Sequence, residues 1–191
     1  GTPIVGATAR RATRQLCTDT GALVGLYGQS DTDLTRLGGI CSGMRVSPRG
    51  VFGPDDGGNP TSRAWEHVLP AVGGMSGAAF SGTCASGQVL VGLRAGAGLA
   101  GTGVSHVAGI FVAANTWART NDTPTTSTLG AFGVDHDNGT TLLCARGELL
   151  SGLEVVEVTR LDGARVIESV RPLCRRIDDA PPQLGRCRLG L

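Results

Sequence analysis

Three short apolar runs recur along the chain at matching distances from a cysteine. Ala22-Leu23-Val24-Gly25-Leu26, Val89-Leu90-Val91-Gly92-Leu93 and Leu149-Leu150-Ser151-Gly152-Leu153 each end in a Gly-Leu pair, eight and nine residues after Cys17, Cys84 and Cys144. A glycine stands eleven residues before each cysteine: Gly6, Gly73 and Gly133. Short apolar runs of this length, bounded by turn residues and carrying an internal glycine, predict strands buried on both faces or nearly so, with the glycine at a point of close packing. A second apolar block follows each first one. Leu34-Thr35-Arg36-Leu37-Gly38-Gly39-Ile40-Cys41 aligns with Val104-Ser105-His106-Val107-Ala108-Gly109-Ile110-Phe111 and with Ile167-Glu168-Ser169-Val170-Arg171-Pro172-Leu173-Cys174. Its three-residue spacing also fits a helical stripe, but Gly38, Gly39 and Pro172 disfavour a helix interior. The block therefore predicts a second strand with a bulge.

The spacers between the two blocks, Tyr27 to Asp33, Arg94 to Gly103 and Glu154 to Arg165, differ most between copies and predict hairpin tips. The copies start near Thr2, Leu69 and Leu129, which divides a single domain, residues 1–191, into repeats of about 2–68, 69–128 and 129–191. Each copy has room for a small sheet of about four strands, given usual strand and hairpin lengths. The prediction is an all-β fold with three sheets around one pseudo-axis. Two longer connections, Ser42 to His67 and Val112 to Ser127, join the copies. The first holds Gly53-Pro54-Asp55-Asp56-Gly57-Gly58-Asn59-Pro60, a dense run of turn formers expected at the surface.

Composition narrows the chemistry. Aromatic residues make up 4% of the 191 residues while glycine contributes 31, so the core must be built from Leu, Val, Ile and Ala. All 17 basic residues are arginine, which excludes lysine nucleophiles, Schiff bases and P-loop phosphate binding. They nearly balance 16 acidic residues, so neither nucleic acid nor an anionic membrane is an expected partner. No apolar run approaches the roughly 18 to 20 residues of a membrane-spanning helix, so membrane insertion is not expected. No signal-like segment opens the chain, which is read as a processed mature form.

Six cysteines point to an oxidising compartment, and a secreted, extracellular location is expected. Cys17 and Cys41 frame the two blocks of the first copy, and Cys144 and Cys174 frame those of the third. Symmetry therefore predicts disulfides Cys17–Cys41 and Cys144–Cys174. In the middle copy Phe111 stands where the partner of Cys84 would be, and a Cys84–Cys187 bridge is expected to tie the tail to that copy. No C-x-x-C spacing occurs and His67, His106 and His136 are scattered, so no zinc site and no cofactor is predicted.

The cysteine-bounded blocks resemble the vitelline membrane outer-layer protein family, whose fold is the three-sheet β-prism shared with jacalin-type lectins. Cys17 to Leu26 with Leu34 to Cys41, Cys84 to Leu93, and Cys144 to Leu153 with Ile167 to Cys174 carry the likeness. The resemblance implies three pseudo-symmetric Greek-key-like sheets forming a β-prism. It spans all three copies and about half the residues, and the matching positions are packing positions, so it speaks to fold more than to function. The middle copy departs by lacking its second cysteine, the tail after Cys174 is no further copy, and no complete sugar-binding signature of jacalin-type lectins is present.

Several strings invite chemical readings. Ile4-Val5-Gly6 resembles a processed trypsin-like N-terminus, yet it aligns with Ala71-Val72-Gly73 and Ala131-Phe132-Gly133 and is explained as a strand end. Gly74-Met75-Ser76-Gly77 resembles a degenerate nucleophile loop, but Ser76 aligns with His136 and no triad order can be assigned. Asp135-His136-Asp137-Asn138-Gly139 has Asp-x-Asp-x-Gly spacing without the closing glutamate of a calcium loop, and is read as a solvated turn. Asp31, Asp33, Asp55, Asp56, Asp135, His136 and Asp137 are the candidate groups for hydrogen bonding to sugar hydroxyls. Trp65 and Trp117 are candidate stacking platforms, with packing over a core edge as the plainer reading. Asn121 and Asn138 head N-glycosylation triplets. The leading expectation is a secreted, non-enzymatic surface-recognition or coat protein that binds extracellular glycans. The alternatives are a self-assembling extracellular structural subunit, forming a layer or fibre, and a carboxylate-based glycoside hydrolase.

Overall fold

The computed structural model describes residues 9–18, 21–43, 45–47, 50–52, 67–85, 87–98, 103–114, 117, 125–136 and 138–176. Each copy contributes one long hairpin. The first is β2 (Gly21–Ser30) with β3 (Leu34–Gly43), the second β9 (Gln88–Ala97) with β10 (Val104–Ala113), and the third β13 (Glu148–Thr159) with β14 (Arg165–Arg176). These strands run further than the sequence blocks suggest. The tips shrink, to residues 31–33 in the first copy and 160–164 in the third, because the polar spacers continue the ladder for several pairs.

The remaining strands are short: β1 (Ala9–Leu16), β4 (Arg45–Ser47), β5 (Gly50–Phe52), β6 (His67–Val68), β7 (Val72–Gly73), β8 (Ala78–Thr83), β11 (Ser127–Gly133) and β12 (Thr140–Leu143). β4 and β5 pair only with each other, and the others flank the hairpins. The sheets have the orders β6-β3-β2-β8, with β7 also on β3; β11-β10-β9-β12; and β1-β13-β14. Sheets and sequence copies therefore do not coincide. The strand just before each marker cysteine crosses to the hairpin of another copy: β8 joins the first, β12 the second, and β1 closes the ring on the third.

Paired bulges explain this exchange. In every hairpin the register slips once in the first strand, at Val24, Val91 and Ser151, and once in the second, at Thr35, Ser105 and Glu168. A bulge releases a backbone carbonyl from its own ladder. The freed carbonyls of Val24, Val91 and Ser151 each accept a 2.8 Å hydrogen bond from the N–H of Cys84, Cys144 and Cys17 respectively. Those of Thr35 and Ser105 accept from Gly74 at 2.8 Å and Val134 at 3.1 Å. The bulge expected in the second strand is present, and the one in the first strand adds a second anchor for the neighbouring copy.

The glycine columns serve the same contacts. A Cβ on Gly25 or Gly92 would lie 2.5 Å from the carbonyl oxygen of Gly82 or Leu142 on the incoming strand, and one on Gly152 would crowd that of Gln15 still more closely. Gly73 and Gly133 have φ of +118° and +102°, a region that L side chains rarely occupy, where the chain bends beside the Thr35 and Ser105 carbonyls.

The leucines after the close-packed glycines, Leu26, Leu93 and Leu153, point into one core at 0%, 1% and 0% exposure. Leu23, Leu37, Leu90, Val107, Leu150 and Ile167 join them, so all three sheets contribute. Burying each such side chain contributes about 2 kcal/mol. Gln15 of β1 reaches across to the first sheet, its Nε2 donating to the carbonyls of Leu37 (3.2 Å) and Pro70 (2.9 Å). Phe80 of β8 stacks on Phe132 of β11 with ring centroids 4.6 Å apart.

Disulfides Cys17–Cys41 and Cys144–Cys174 are both formed, with Cα separations of 5.6 and 5.5 Å. Each links the turn before a first strand to the end of its hairpin partner. Cys84 is buried beside Val24 and Ile40 with Phe111 packed against the same group, so the phenylalanine fills the space of the missing half-cystine. Cys187, and with it the expected Cys84–Cys187 bridge, lies outside the described residues.

Candidate functional site

The three hairpin tips gather at one end of the three-sheet arrangement. Arg160, at the tip of the third hairpin, forms an ion pair with Asp33 at the tip of the first. Gly103, closing the second tip, packs against the Ile167 carbonyl of the third hairpin. Two loops from the chain crossings lie beside them. In residues 74–77 the Ser76 carbonyl accepts from the Thr35 hydroxyl, and in residues 134–139 the Asn138 Nδ2 donates to the Ala97 carbonyl at 2.7 Å. This end also exposes single apolar side chains, Met75 at 80% and Leu161 at 77%, among the polar ones.

The densest polar group is built on the second hairpin. Arg94 of β9 and His106 of β10 stand on its outer face, and Asp135 reaches both from the loop above. The Asp135 Oδ2 is 3.7 Å from Arg94 Nη1, and its Oδ1 is 3.4 Å from His106 Nε2. The His106 ring is fully buried, seated over Gly96, where any side chain would collide with the imidazole. Its Nε2 makes no well-aligned hydrogen bond among the described residues, although the Asp135 carboxylate lies close by. Asp135 and Arg94 remain 28% and 37% exposed at their side chains, and Asn138 is exposed. The cluster thus offers a carboxylate, a guanidinium and a carboxamide to solvent from a fixed base.

Ser105, His106 and Asp135 fall in the spatial order of a hydrolytic triad, with Ser105 Oγ 3.5 Å from His106 Nδ1. Ser105 is fully buried, however, and its hydroxyl leans toward the Gly96 carbonyl at 3.4 Å. A nucleophile without access to a substrate carbonyl performs no acyl transfer.

The other predicted site residues are scattered. Asp31 is exposed at the first tip, its N–H donating to the Asp33 carbonyl at 3.0 Å, while Asp33 itself is buried against Arg160. His136 is half-buried beside Asp135. Trp117 packs at 7% exposure against Val89, Val112 and Leu149, its indole N–H donating to the Glu148 carbonyl at 2.5 Å. Its surroundings are those of the core-edge reading. Asp55, Asp56, Trp65, Asp137 and Asn121 lie outside the described residues. Arg94 was not singled out from the sequence; the available signal was its column, where Tyr27, Arg94 and Glu154 follow the three Gly-Leu pairs with unrelated chemistry.

No protein-family model and no curated protein matches this chain significantly, so membership of the vitelline membrane outer-layer family has no independent support. Solved structures do match. The chain is similar to a prostate-specific WGA16 glycoprotein lectin at a TM-score of 0.52 and 12% sequence identity, covering 92% of this chain and 96% of that one. It is also similar to Malaysian banana lectin, at a TM-score of 0.50 and 9% identity, over 90% of this chain and 94% of the lectin. At such identities the likeness speaks to architecture: three sheets of almost wholly β structure, arranged as in lectin β-prisms.

Proposed function

We propose that this protein is a secreted, non-enzymatic recognition protein that binds extracellular glycans at the end where the three hairpin tips converge. The observation that carries the reading is the Arg94–Asp135–Asn138 group, three hydrogen-bonding side chains of different character held at that end by a buried histidine and a strand bulge. Sugars are recognised by such convergent donors and acceptors together with small apolar surfaces, and Met75 and Leu161 supply the latter nearby. Both structural neighbours are lectins by name, which supports the class of ligand. Two interstrand disulfides suit a protein that works outside the cell.

A glycan array probed with the wild-type protein and with an Asp135→Asn/Asn138→Ala variant tests this. Binding that disappears in the variant, with an unchanged melting temperature, is the expected outcome. Undiminished binding by the variant, or no glycan bound by the wild type, would overturn the reading.

A further inference from the structure

The outer faces of the three sheets are finished differently at equivalent places. On the third sheet, Glu154 follows the Gly-Leu pair and is neutralised by Arg14 of β1, with Nε and Oε2 2.7 Å apart. On the second, Arg94 takes that position and the loop carrying Asp135 covers it. On the first sheet the position is Tyr27. Its neighbours on the same face are Gln29 of β2, Arg36 of β3 and Ser81 of β8, brought together by the pairs Tyr27↔Ser81 and Gln29↔Arg36. They line an open cleft of about 400 Å³, with Ile40 and Val68 as its apolar wall.

Two features distinguish this cleft from a merely uneven surface. Arg36 has no carboxylate partner among the described residues, although Arg14 and Arg94 on the corresponding faces each have one. The Gln29 Oε1 is sequestered from solvent without a hydrogen-bond donor among the described residues. The Tyr27 ring lies over Gly38, which lacks the side chain that would displace it, and its hydroxyl donates to the Leu69 carbonyl. The aromatic wall is therefore fixed before any ligand arrives.

We infer that this cleft, on the outer face of the first sheet, is a second binding site, distinct from the Arg94–Asp135–Asn138 group on the second, for a pyranose ring that carries a carboxylate. The planar guanidinium of Arg36 matches a carboxylate with two parallel N–H donors. The Gln29 amide, on turning its sequestered Oε1 toward the cleft, accepts from a ring hydroxyl, Ser81 can donate or accept, and the apolar face of the sugar meets Tyr27 and Val68. The volume is at the small end of known ligand sites, which suits one sugar residue and not a folded peptide segment. This site does not depend on glycan recognition at the tips.

The test is a titration of the full-length, oxidised protein with methyl glucuronide, methyl galacturonide and methyl glucoside, followed by ¹H–¹⁵N spectra. The acid sugars should shift the Gln29 side-chain amide and the Ser81 backbone amide, and the neutral glucoside should not. Arg36→Gln should weaken acid-sugar binding by about tenfold or more, the scale of a hydrogen bond to a charged group, with an unchanged melting temperature. Arg36→Lys should recover part of the loss, and Asp135→Asn/Asn138→Ala should leave these shifts in place. Absence of shifts with both acid sugars, equal response to the glucoside, or an Arg36→Gln variant that binds like wild type would each overturn the inference. Shifts abolished by the tip variant but not by Arg36→Gln would also overturn it while supporting the tip reading. Loss of array binding in the tip variant with intact face shifts would sustain both sites.

Discussion

Replacing Gly25 or Gly92 by alanine should destabilise the fold by forcing apart strands from different copies. The new Cβ would stand 2.5 Å from a backbone oxygen on β8 or β12, whereas real Cβ atoms essentially never come nearer than 3.0 Å. The strand must therefore retreat by at least half an ångström, at a point next to the 2.8 Å bond from Cys84 or Cys144 to the bulge carbonyl. Overpacking of this kind costs about 1–3 kcal/mol. Removing glycine from the unfolded chain offsets about 0.4–1 kcal/mol of that, leaving a net loss of about 1–2 kcal/mol. Gly43→Ala is the control, because nothing lies within 4 Å of its Cβ position and the unfolded-state gain stands alone. At this chain length each kcal/mol moves the melting temperature by about 2–4 °C. Thermal and urea unfolding under oxidising conditions should place Gly25→Ala and Gly92→Ala below wild type and Gly43→Ala at or above it, with Gly152→Ala lowest because its approach is closest. If all four variants melt together, the glycine column does not mark the contact between copies.

Tyr27 is the only tyrosine, and burial raises its pKa above the ordinary 10.0, against a smaller opposing pull from Arg36 and a backbone hydrogen bond. Absorbance near 295 nm should therefore give a phenolate midpoint above pH 10 in the native protein and a lower one in the urea-unfolded protein. Since the raised value favours the neutral form in the fold, its stabilising contribution is complete below pH 10 and declines as pH rises through the native midpoint. A native midpoint at or below 10 would contradict the placement of this ring. Arg160→Ala should cost about 2–3 kcal/mol in urea unfolding, since it strips the cation from an Asp33 side chain only 5% exposed. Asp33→Asn should cost less, because Arg160 is 25% exposed and can be rehydrated. Equal losses would show that the carboxylate is not the dependent partner.

The hairpins and both described disulfides were legible in the sequence because the spacing of the apolar blocks and their cysteines repeats between copies. A buried first strand, a variable spacer and a second strand recur in all three copies, with a closing cysteine in two of them. The assignment of flanking strands was not. Repeated copies on a ring carry no mark of where one sheet stops, and the strand before Cys84 reads the same whether it pairs with β9 or, as it does, with β2. The exchange leaves an indirect mark in the glycine of each Gly-Leu pair, whose close neighbour is a strand from another copy. The candidate site was less legible still. Asp135 stood out as part of an acidic run, but Arg94 and His106 join it only through the exchange loop and the Ser105 bulge, neither of which has a local signature.

The closure of the third sheet by β1 sets an order of events during synthesis. β8 and β12 emerge after the hairpins they join, whereas β1 must wait for β13, more than a hundred positions later. At ordinary rates of translation that interval is of order ten seconds. An apolar strand left unpaired for so long would invite association with other chains. β1 instead reads Ala-Arg-Arg-Ala-Thr-Arg-Gln-Leu, with three guanidinium groups along eight residues and most of its side chains facing water in the finished molecule. The strand with the longest wait is thus one whose charge keeps it from pairing with copies of itself.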